Sequence, residues 1–419
     1  MSMNRKILTS GIIVIIIALV VFISSCVKEP AVKVDDTGWT LEGVNTVVNA
    51  NNQFAFDLYS QFKEESKDEN IFFSPYSISV ALTMTYEGAR GKTAEEMQSV
   101  LHIPENANLR RANFAKIINE INKEDKKYKL HTANALWPRI DFRLLEEYQN
   151  TIDTYYGGKV TRLDYAREAE KSRQIINSWV EDKTEDKIKD LIPPGILNPD
   201  TVLVLTNAIY FKGTWVLQFD PKDTRDEDFT TSAGQTVKVP MMRLTGEDAE
   251  FNYVETDEVQ ILEMPYEGED LSMLIILPKE NNLEKIEESI TPEKLSEWKN
   301  ILKKQRVDIF IPKFKFETKY FMVDTLKKMG MVSAFNAPPA DFSGMDGTKN
   351  LKIQNVIHQA FVEVNEEGTE IAAATAVIVG RESVQITPVF RADHPFIFII
   401  QQKDTGNILF LGRVSDPTK

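Results

Sequence analysis

The sequence predicts an α+β fold built as one large domain. Three observations support this prediction: helical and strand patterns alternate in the first half, strand patterns dominate the second half, and no linker-like composition occurs after residue 50. The length of 419 residues permits either one core of about 370 residues or two ordinary domains. The absence of a linker favours one mixed domain.

The first predicted helix follows from apolar residues at four-residue intervals. Phe54, Leu58 and Phe62 recur with polar residues between them, which is typical of an amphipathic helix, and a charged turn follows at residues 63–69. Three further segments have helical patterns: residues 77–86, 94–101 and 179–191. The last of these is expected to stop before Pro193 and Pro194.

Strands are predicted where β-branched and aromatic residues cluster. Such clusters occupy residues 202–210, 271–277, 307–311, 396–400 and 408–414. The last two are joined by a predicted turn at residues 404–407.

The charge argues against nucleic acid as a partner. The formal net charge is −14, and because residues 1–25 contain two bases and no acid, the remainder carries about −16. A basic cluster precedes His131 and consists of Arg110, Arg111, Lys116, Lys123, Lys126, Lys127 and Lys129. Acidic residues are interleaved with it, so we interpret it as a solvated helix and turn.

The N-terminus has the pattern of an export signal. Arg5 and Lys6 precede an unbroken apolar run at residues 12–23, which is shorter than the roughly 20 residues of a membrane span. The tetrad at residues 23–26 resembles a lipoprotein cleavage site, and Cys26 is the only cysteine. We therefore predict a signal peptide at residues 1–25, a lipid-anchored tether at residues 26–47 and a cell-surface domain at residues 48–417. An uncleaved signal anchor is the alternative.

No enzyme motif is present. The sequence lacks a cysteine outside the signal region, a Gly-x-Ser-x-Gly elbow and a phosphate-binding Gly-rich loop. The four histidines, His102, His131, His358 and His394, lack metal-ligand spacing. No cofactor or metal is predicted, and a hydrolase with a dispersed Ser-His-Asp triad remains an open alternative.

Residues 363–383 combine features that favour different structures. Ala372 to Ala374 favour helix, residues 375–379 favour strand, and acidic residues and Arg381 flank them. Such a segment is typical of an exposed loop that can later become a strand.

The run at residues 355–376 resembles the hinge signature of serpins, the suicide inhibitors of serine proteases. Further blocks resemble the same family at residues 70–79, 205–215, 393–398 and 406–414. The resemblance extends from about residue 48 to 417. It implies three β-sheets, eight or nine helices and an exposed reactive-centre loop. A monomer is expected.

The resemblance implies a mechanism in which the cleaved loop enters the main sheet as a new strand and traps the protease as an acyl-enzyme. The hinge would comprise Glu366, Glu367, Gly368, Thr369, Glu370, Ile371, Ala372, Ala373 and Ala374. Gly368 would supply backbone freedom, and alternation would point Thr369, Ile371 and Ala373 into the core. On this basis Thr369→Arg is expected to block insertion without harming the native fold.

Position 371 departs from the family pattern, because inhibitory serpins usually carry Ala where this chain has Ile371. The bulk of Ile371 would slow insertion. A serpin fold used without inhibition, as a binding or chaperone module, is therefore the alternative function.

Other residues match the family's conformational switch. Ser74, Ser77, Asn207 and His358 match a hydrogen-bonded cluster beneath the main sheet, called the shutter. Trp215 matches the residue at the top of the sheet where insertion begins.

The reactive bond decides the target protease. The family's usual register places the bond between Glu382 and Ser383, and a loop one residue shorter places it between Arg381 and Glu382. Arg381 would fit a trypsin-like protease and is favoured, whereas Glu382 would require a glutamate-preferring one. A cut after Val379 would suit elastase- or subtilisin-like proteases.

Overall fold

The computed structural model describes residues 33–123, 126–336, 338–369 and 387–419 of the chain. The α-helices of these described residues are α1 Leu41–Glu65, α2 Pro75–Tyr86, α3 Gly91–Leu101, α4 Ala107–Ile121, α5 Glu146–Tyr155, α6 Tyr165–Lys183, α7 Leu283–Ser289, α8 Pro292–Asn300, α9 Val323–Lys328 and α10 Ser343–Asp346. A 3₁₀ turn occupies Ser333–Phe335.

The strands of the described residues are β1 Ile71–Phe73, β2 Tyr128–Pro138, β3 Lys159–Val160, β4 Leu203–Thr214, β5 Arg225–Thr230, β6 Thr236–Leu244, β7 Glu250–Glu255, β8 Val259–Pro265, β9 Leu271–Pro278, β10 Lys303–Arg306, β11 Asp308–Pro312, β12 Phe314–Phe321, β13 Asn355–Val364, β14 Gly368–Thr369, β15 Val389–Arg391, β16 Phe396–Gln402 and β17 Ile408–Val414.

These strands form three sheets. One has the order β1-β17-β16-β9-β8-β7-β10, a second has the order β15-β11-β6-β5, and the third, called the main sheet, has the order β12-β13-β4-β2-β3 with β14 paired to β4. The expected α+β architecture with three sheets is confirmed. The described helices number ten because the single turn α10 is included.

The main sheet divides into two arms between β4 and β13. These strands pair in parallel from Asn355↔Val204 to Ala360↔Ile209, and no pairing between them continues beyond that point in the described residues. At the far end of β4, the short strand β14 pairs antiparallel instead, with Gly368 opposite Thr214 and Thr369 opposite Gly213. We call the point where β4 and β13 separate the fork.

Both faces of the main sheet are covered. Alternating residues of β4 such as Leu205 and Ile209 belong to the large core that α1 and α2 share. On the opposite face, Ile176 and Val180 of α6 pack in a smaller core with Trp137 of β2. A new strand in this sheet would therefore lie between two packed layers.

The predicted helix at residues 179–191 is wrong in its position. α6 begins at Tyr165 after the N-cap Asp164 and ends at Lys183. Residues 185 and 186 have positive φ angles, which end the helix. Ile188 and Leu191 are fully buried in the smaller core. Their spacing resembles that of a helix because both side chains face this core, although the segment itself is not helical.

The predicted tether is wrong for residues 33–47, which belong to the folded body. Val34 is buried and exchanges two backbone hydrogen bonds with the side chain of Asn119, of 3.0 and 2.9 Å. α1 already begins at Leu41, and its Val44 and Val47 are buried. Few apolar residues occur in this segment, so the sequence only weakly indicates that its valines join the core.

The solvated interpretation of the basic cluster is wrong for Arg110. This side chain lies on α4, is 3% exposed and contacts the buried carboxylate of Glu87 at 2.9 Å. Its guanidinium also lies over the Tyr86 ring, 4.6 Å from the centroid. A buried charge requires a partner of opposite sign, and that partner comes from a segment distant in sequence.

Candidate functional site

Four polar or aromatic side chains form a row across adjacent strands of the main sheet. The strand register places Asn134 of β2 opposite Asn207 of β4, Asn207 opposite His358 of β13, and His358 opposite Tyr320 of β12. The Tyr320 and His358 rings are stacked with centroids 6.3 Å apart. Two of the four predicted shutter residues, Asn207 and His358, lie in this row, and the other two, Ser74 and Ser77, are hydrogen-bonded to it.

The shutter residues are joined by buried hydrogen bonds. The Asn207 amide nitrogen donates to Ser77 Oγ at 2.6 Å and to Asn134 Oδ1, and Ser77 Oγ donates to the same Asn134 oxygen at 2.9 Å. The Ser74 hydroxyl caps α2 by accepting from the Ser77 backbone N–H, and it donates to the Leu409 carbonyl at 2.6 Å. The cluster therefore connects α2 with the two arms of the main sheet and with β17.

His358 connects the two ends of this cluster in its neutral form. Its Nε2 accepts from the Ser74 backbone N–H at 3.1 Å, so the ring proton must reside on Nδ1, which donates to Asn207 Oδ1. The side chain is fully buried, and this burial lowers the pKa of His358 from 6.5 to about 3. Protonation would remove the acceptor that Ser74 requires.

We expect stability to fall on mild acidification because of His358. Its pKa is about 3 in the folded chain and 6.5 in the unfolded chain, so only the unfolded chain binds the proton between these values. The stabilising contribution is present above pH 6.5 and is lost as pH falls towards 3. At 1.36 kcal/mol per pH unit, the free energy of unfolding should drop by about 2 kcal/mol between pH 6.5 and 5. Urea titrations at both pH values measure it, and His358→Gln should lack this drop.

Asn134 is the cluster member that the sequence prediction missed. It lies near the middle of β2 between Ala133 and Ala135, both buried. A side-chain amide inside an otherwise apolar buried strand requires hydrogen-bond partners. The position of Asn134 between two alanines is therefore the feature of the sequence that could have suggested its role in the cluster. Its partners become identifiable only through the register of β2 against β4.

Trp215, directly after β4, holds the backbone of residues 365–369, which contain the described part of the predicted hinge. Its backbone N–H donates to the Glu367 carbonyl at 2.8 Å, and its indole Nε1 donates to the Asn365 carbonyl at 3.1 Å. The indole also stacks on Tyr266 with centroids 4.5 Å apart. Trp215 therefore lies beside the hinge, and its predicted role in insertion stays a prediction.

The Glu366 carboxylate provides an ionic attachment for the hinge. Lys313 Nζ lies 2.7 Å from Glu366 Oε2, and Thr224 Oγ1 donates to Oε1 at 2.8 Å. Burial by itself would raise the pKa of Glu366, but the hydrogen bonds from Lys313 and Thr224 outweigh it, and the pKa is lowered. Glu366 is therefore held ionised at neutral pH.

Gly368 and Thr369, the last described residues of the hinge, are already paired with β4 in the main sheet. Thr369 is 2% exposed, and its hydroxyl lies 2.9 Å from the Tyr266 hydroxyl. At Gly368, where φ is 157°, a Cβ atom would lie 2.0 Å from the Gly213 carbonyl oxygen. The glycine is thus required for close approach to the backbone of β4 as well as for backbone freedom.

The expectation that Thr369→Arg would leave the native fold intact is wrong. The threonine side chain is buried before any cleavage, so an arginine there would place an unpaired charge in the native protein itself. A substitution that acts only on insertion must lie further along the loop.

Several predicted site residues lie outside the described residues. They are Cys26, Glu370, Ile371, Ala372, Ala373, Ala374, Arg381, Glu382 and Ser383. Their assignments remain predictions.

Three of the four histidines have identifiable hydrogen-bonding or ionic partners. Both ring nitrogens of His358 are bonded to Ser74 and Asn207, and those of His394 contact Asp393 Oδ1 at 2.8 Å and the Pro278 carbonyl at 2.7 Å. His102 Nε2 contacts the Asp57 carboxylate at 2.6 Å in a partly exposed pair. Within the described ranges, no group of three or more His, Cys, Asp or Glu side chains is arranged to hold a metal ion.

Comparison with known proteins gives a consistent result. The sequence model of the family described as "Serpin (serine protease inhibitor)" matches residues 49–417. A serpin-like protein of the archaeon Methanosarcina acetivorans is 46% identical over 372 residues, which cover 88% of this chain and 86% of the relative. Human Serpin B3 is 42% identical over 395 residues, covering 89% of this chain and all of the relative.

Solved structures show the same likeness. Human thyroxine-binding globulin superposes with a TM-score of 0.82 at 34% identity, covering 90% of this chain and 100% of that chain. Serpin48 of the insect Tenebrio molitor has a TM-score of 0.78 at 35% identity, covering 88% of this chain and 98% of that one. With a family match across most of its length and relatives above 40% identity, this chain belongs to the serpin family of serine protease inhibitors.

Proposed function

We propose that this serpin inhibits extracellular serine proteases as a suicide substrate. The fork carries the proposal. β13 and β4 are paired only up to Ala360 and Ile209, and the hinge strand β14 is already paired with the far end of β4. A loop continuing from Thr369 would therefore extend an existing antiparallel strand rather than start a new one.

In the proposed reaction the protease serine attacks the carbonyl of the residue before the reactive bond. The peptide C–N bond breaks, the new amine leaves with a proton, and an ester joins the protease to the loop. Ordinarily water would then hydrolyse the ester. Insertion of the cut loop beside β4 moves the attached protease and distorts it before hydrolysis occurs.

Trypsin-like proteases are the proposed targets, with Arg381 before the reactive bond. A guanidinium fits the acidic specificity pocket of such enzymes. Cleavage after Glu382 or Val379 would instead direct the protein to glutamate-preferring or to elastase- and subtilisin-like enzymes. The sequence pattern supports Arg381 because it is the one basic residue in the 363–383 segment.

The proposed site of action is the cell surface, with the protein attached by a lipid on Cys26. The support is the sequence pattern of residues 5–26. Among the described residues, no helix is both long enough and apolar enough to cross a bilayer. Because residues from Val34 onward are packed on the folded body, the proposed anchor would hold the inhibitor close to the membrane.

A non-inhibitory binding protein is the second candidate, and Ile371 favours it. A bulky residue at this position would slow insertion, so the protease would escape by hydrolysis. One structurally similar protein, human thyroxine-binding globulin, was solved in complex with thyroxine, which illustrates that the fold can hold a small ligand.

Mixing residues 27–419 separately with trypsin, elastase and subtilisin tests the proposal. We expect a protease complex that survives denaturing electrophoresis, and a released C-terminal peptide that begins at Glu382 by mass spectrometry. Arg381→Gln should abolish complex formation with trypsin while leaving the fold unchanged. Cleavage in the loop without any stable complex would contradict inhibition and support the binding function.

A further inference from the structure

A short segment crosses the outer face of the main sheet over the fork. Residues 184–191, which we call the strap, follow α6 directly. On one side, Lys129 of β2 contacts both carboxylate oxygens of Glu185, at 2.8 and 3.0 Å. On the other side, Lys319 of β12 donates to the Asp190 carbonyl at 2.8 Å. The strap is therefore bonded to strands on both arms of the sheet.

Lys187 lies at the centre of the strap, directly at the fork. Its ammonium is 5.9 Å from the ring centroid of Tyr210 on β4 and 5.8 Å from that of Phe361 on β13. The last paired residues of these strands are Ile209 and Ala360, so the two rings belong to the first positions beyond the ladder. One cation thus contacts an aromatic face on each arm, where the backbone pairing ends.

The backbone of the strap adopts an unfavourable conformation. Three residues of the strap have φ angles in the left-handed region, which is sterically unfavourable for residues that carry a Cβ atom. The φ angles are 50° for Glu185, 60° for Asp186 and 47° for Asp190. The buried side chain of Ile188 holds the strap down between them. A conformation of this kind persists only where the surrounding contacts maintain it, so the strap depends on its contacts to both arms.

We propose that Lys187 is a positioning residue that holds the fork closed and sets the rate at which the sheet opens for a new strand. The proposal rests on the proposed function, since a strand entering between β4 and β13 is what the contact would resist. Insertion would move the two strands about 4.8 Å further apart. The ammonium could then not keep its present position relative to both Tyr210 and Phe361. Loss of the paired contacts must precede or accompany insertion.

Hydrogen exchange of the full chain, measured by mass spectrometry, tests this inference without any protease. Lys187→Met removes the charge but keeps much of the side-chain length. We expect amide exchange in residues 209–213 and 361–364 to become roughly tenfold faster, as the loss of two cation–π contacts implies. Lys187→Arg retains a cation over the rings and should keep the parental exchange rates. A purely structural requirement for lysine would not be rescued by arginine.

Lys189→Met is the matched control, because Lys189 is an exposed residue of the same strap and its replacement changes the net charge equally. The inference is overturned if Lys187→Met leaves exchange at the fork unchanged, or if Lys189→Met accelerates it to the same extent. Failure of the proposed function would appear differently, as loop cleavage without a stable protease complex. The two results are independent of each other.

Discussion

Cleavage of the reactive loop is expected to raise the melting temperature of the protein by at least about 10 °C. Insertion would place a strand of about ten residues between β4 and β13, adding on the order of ten backbone hydrogen bonds at about 1 kcal/mol each. For a folded body of this size the unfolding entropy is about 0.8 kcal/mol per kelvin. Differential scanning calorimetry measures the shift between the intact protein and protein nicked in the loop by a protease that forms no stable complex with it.

Two single substitutions distinguish a melting-temperature rise caused by strand insertion from one caused by cleavage of the loop alone. Thr369 faces the core, and the two-residue period of a strand then turns Ala373 inward and Ala374 outward. Ala373→Arg would force a charge into the sheet, so its nicked form should show no rise in melting temperature. Ala374→Arg carries the same charge on the outer side and should retain most of the rise. An unchanged melting temperature in nicked parent protein would contradict strand insertion.

Replacement of His358 by alanine is expected to lower the free energy of unfolding by about 3–5 kcal/mol. The variant leaves the Ser74 backbone N–H and the Asn207 amide oxygen without their present partner, at about 1–3 kcal/mol for each buried group, and it also leaves a cavity beside Tyr320. Both orphaned groups lie where the two arms of the main sheet meet α2. Urea unfolding at pH 7.5 measures the change.

His102→Asn serves as the comparison for His358→Ala. His102 is partly exposed, pairs with Asp57 at the surface and has a φ of 55°, a conformation that asparagine tolerates. A surface pair contributes at most about 1 kcal/mol, so this variant should unfold close to the parent. If His358→Ala were equally mild, the shutter cluster would not be a stabilising network.

The four predicted shutter residues lie together in the structure, and their role as a switch stays a prediction. Ser74, Ser77, Asn207 and His358 were identified through a family resemblance, and the structure brings all four together within one buried network. Asn134 was missed because its role depends on the register of β2 against β4. Register is set by pairing between strands that are distant in sequence, and no local pattern contains it.

The errors share a physical cause. Residues 184–191 have the apolar spacing of a helix, yet buried Ile188 and Leu191 support a non-helical strap over the sheet. Arg110 has the appearance of a solvated charge, yet Glu87 pairs with it in the interior. In each case tertiary contacts override the local pattern. The expectation that Thr369→Arg would spare the native fold was wrong for the same reason, since only the pairing of β14 with β4 shows that Thr369 is already buried.

The sequence by itself determined the α+β class, the family and five of the seventeen strands that the structure describes. These follow from apolar periodicity and from motifs that persist along the chain, because local composition specifies which segments can be helix or strand. Only the tertiary structure decided where the main sheet divides, how Trp215 and Glu366 hold the hinge, and that Lys187 lies over the fork. These features arise from contacts between residues that are roughly 20 to 170 positions apart in the sequence. The geometry of such contacts is fixed when the core packs.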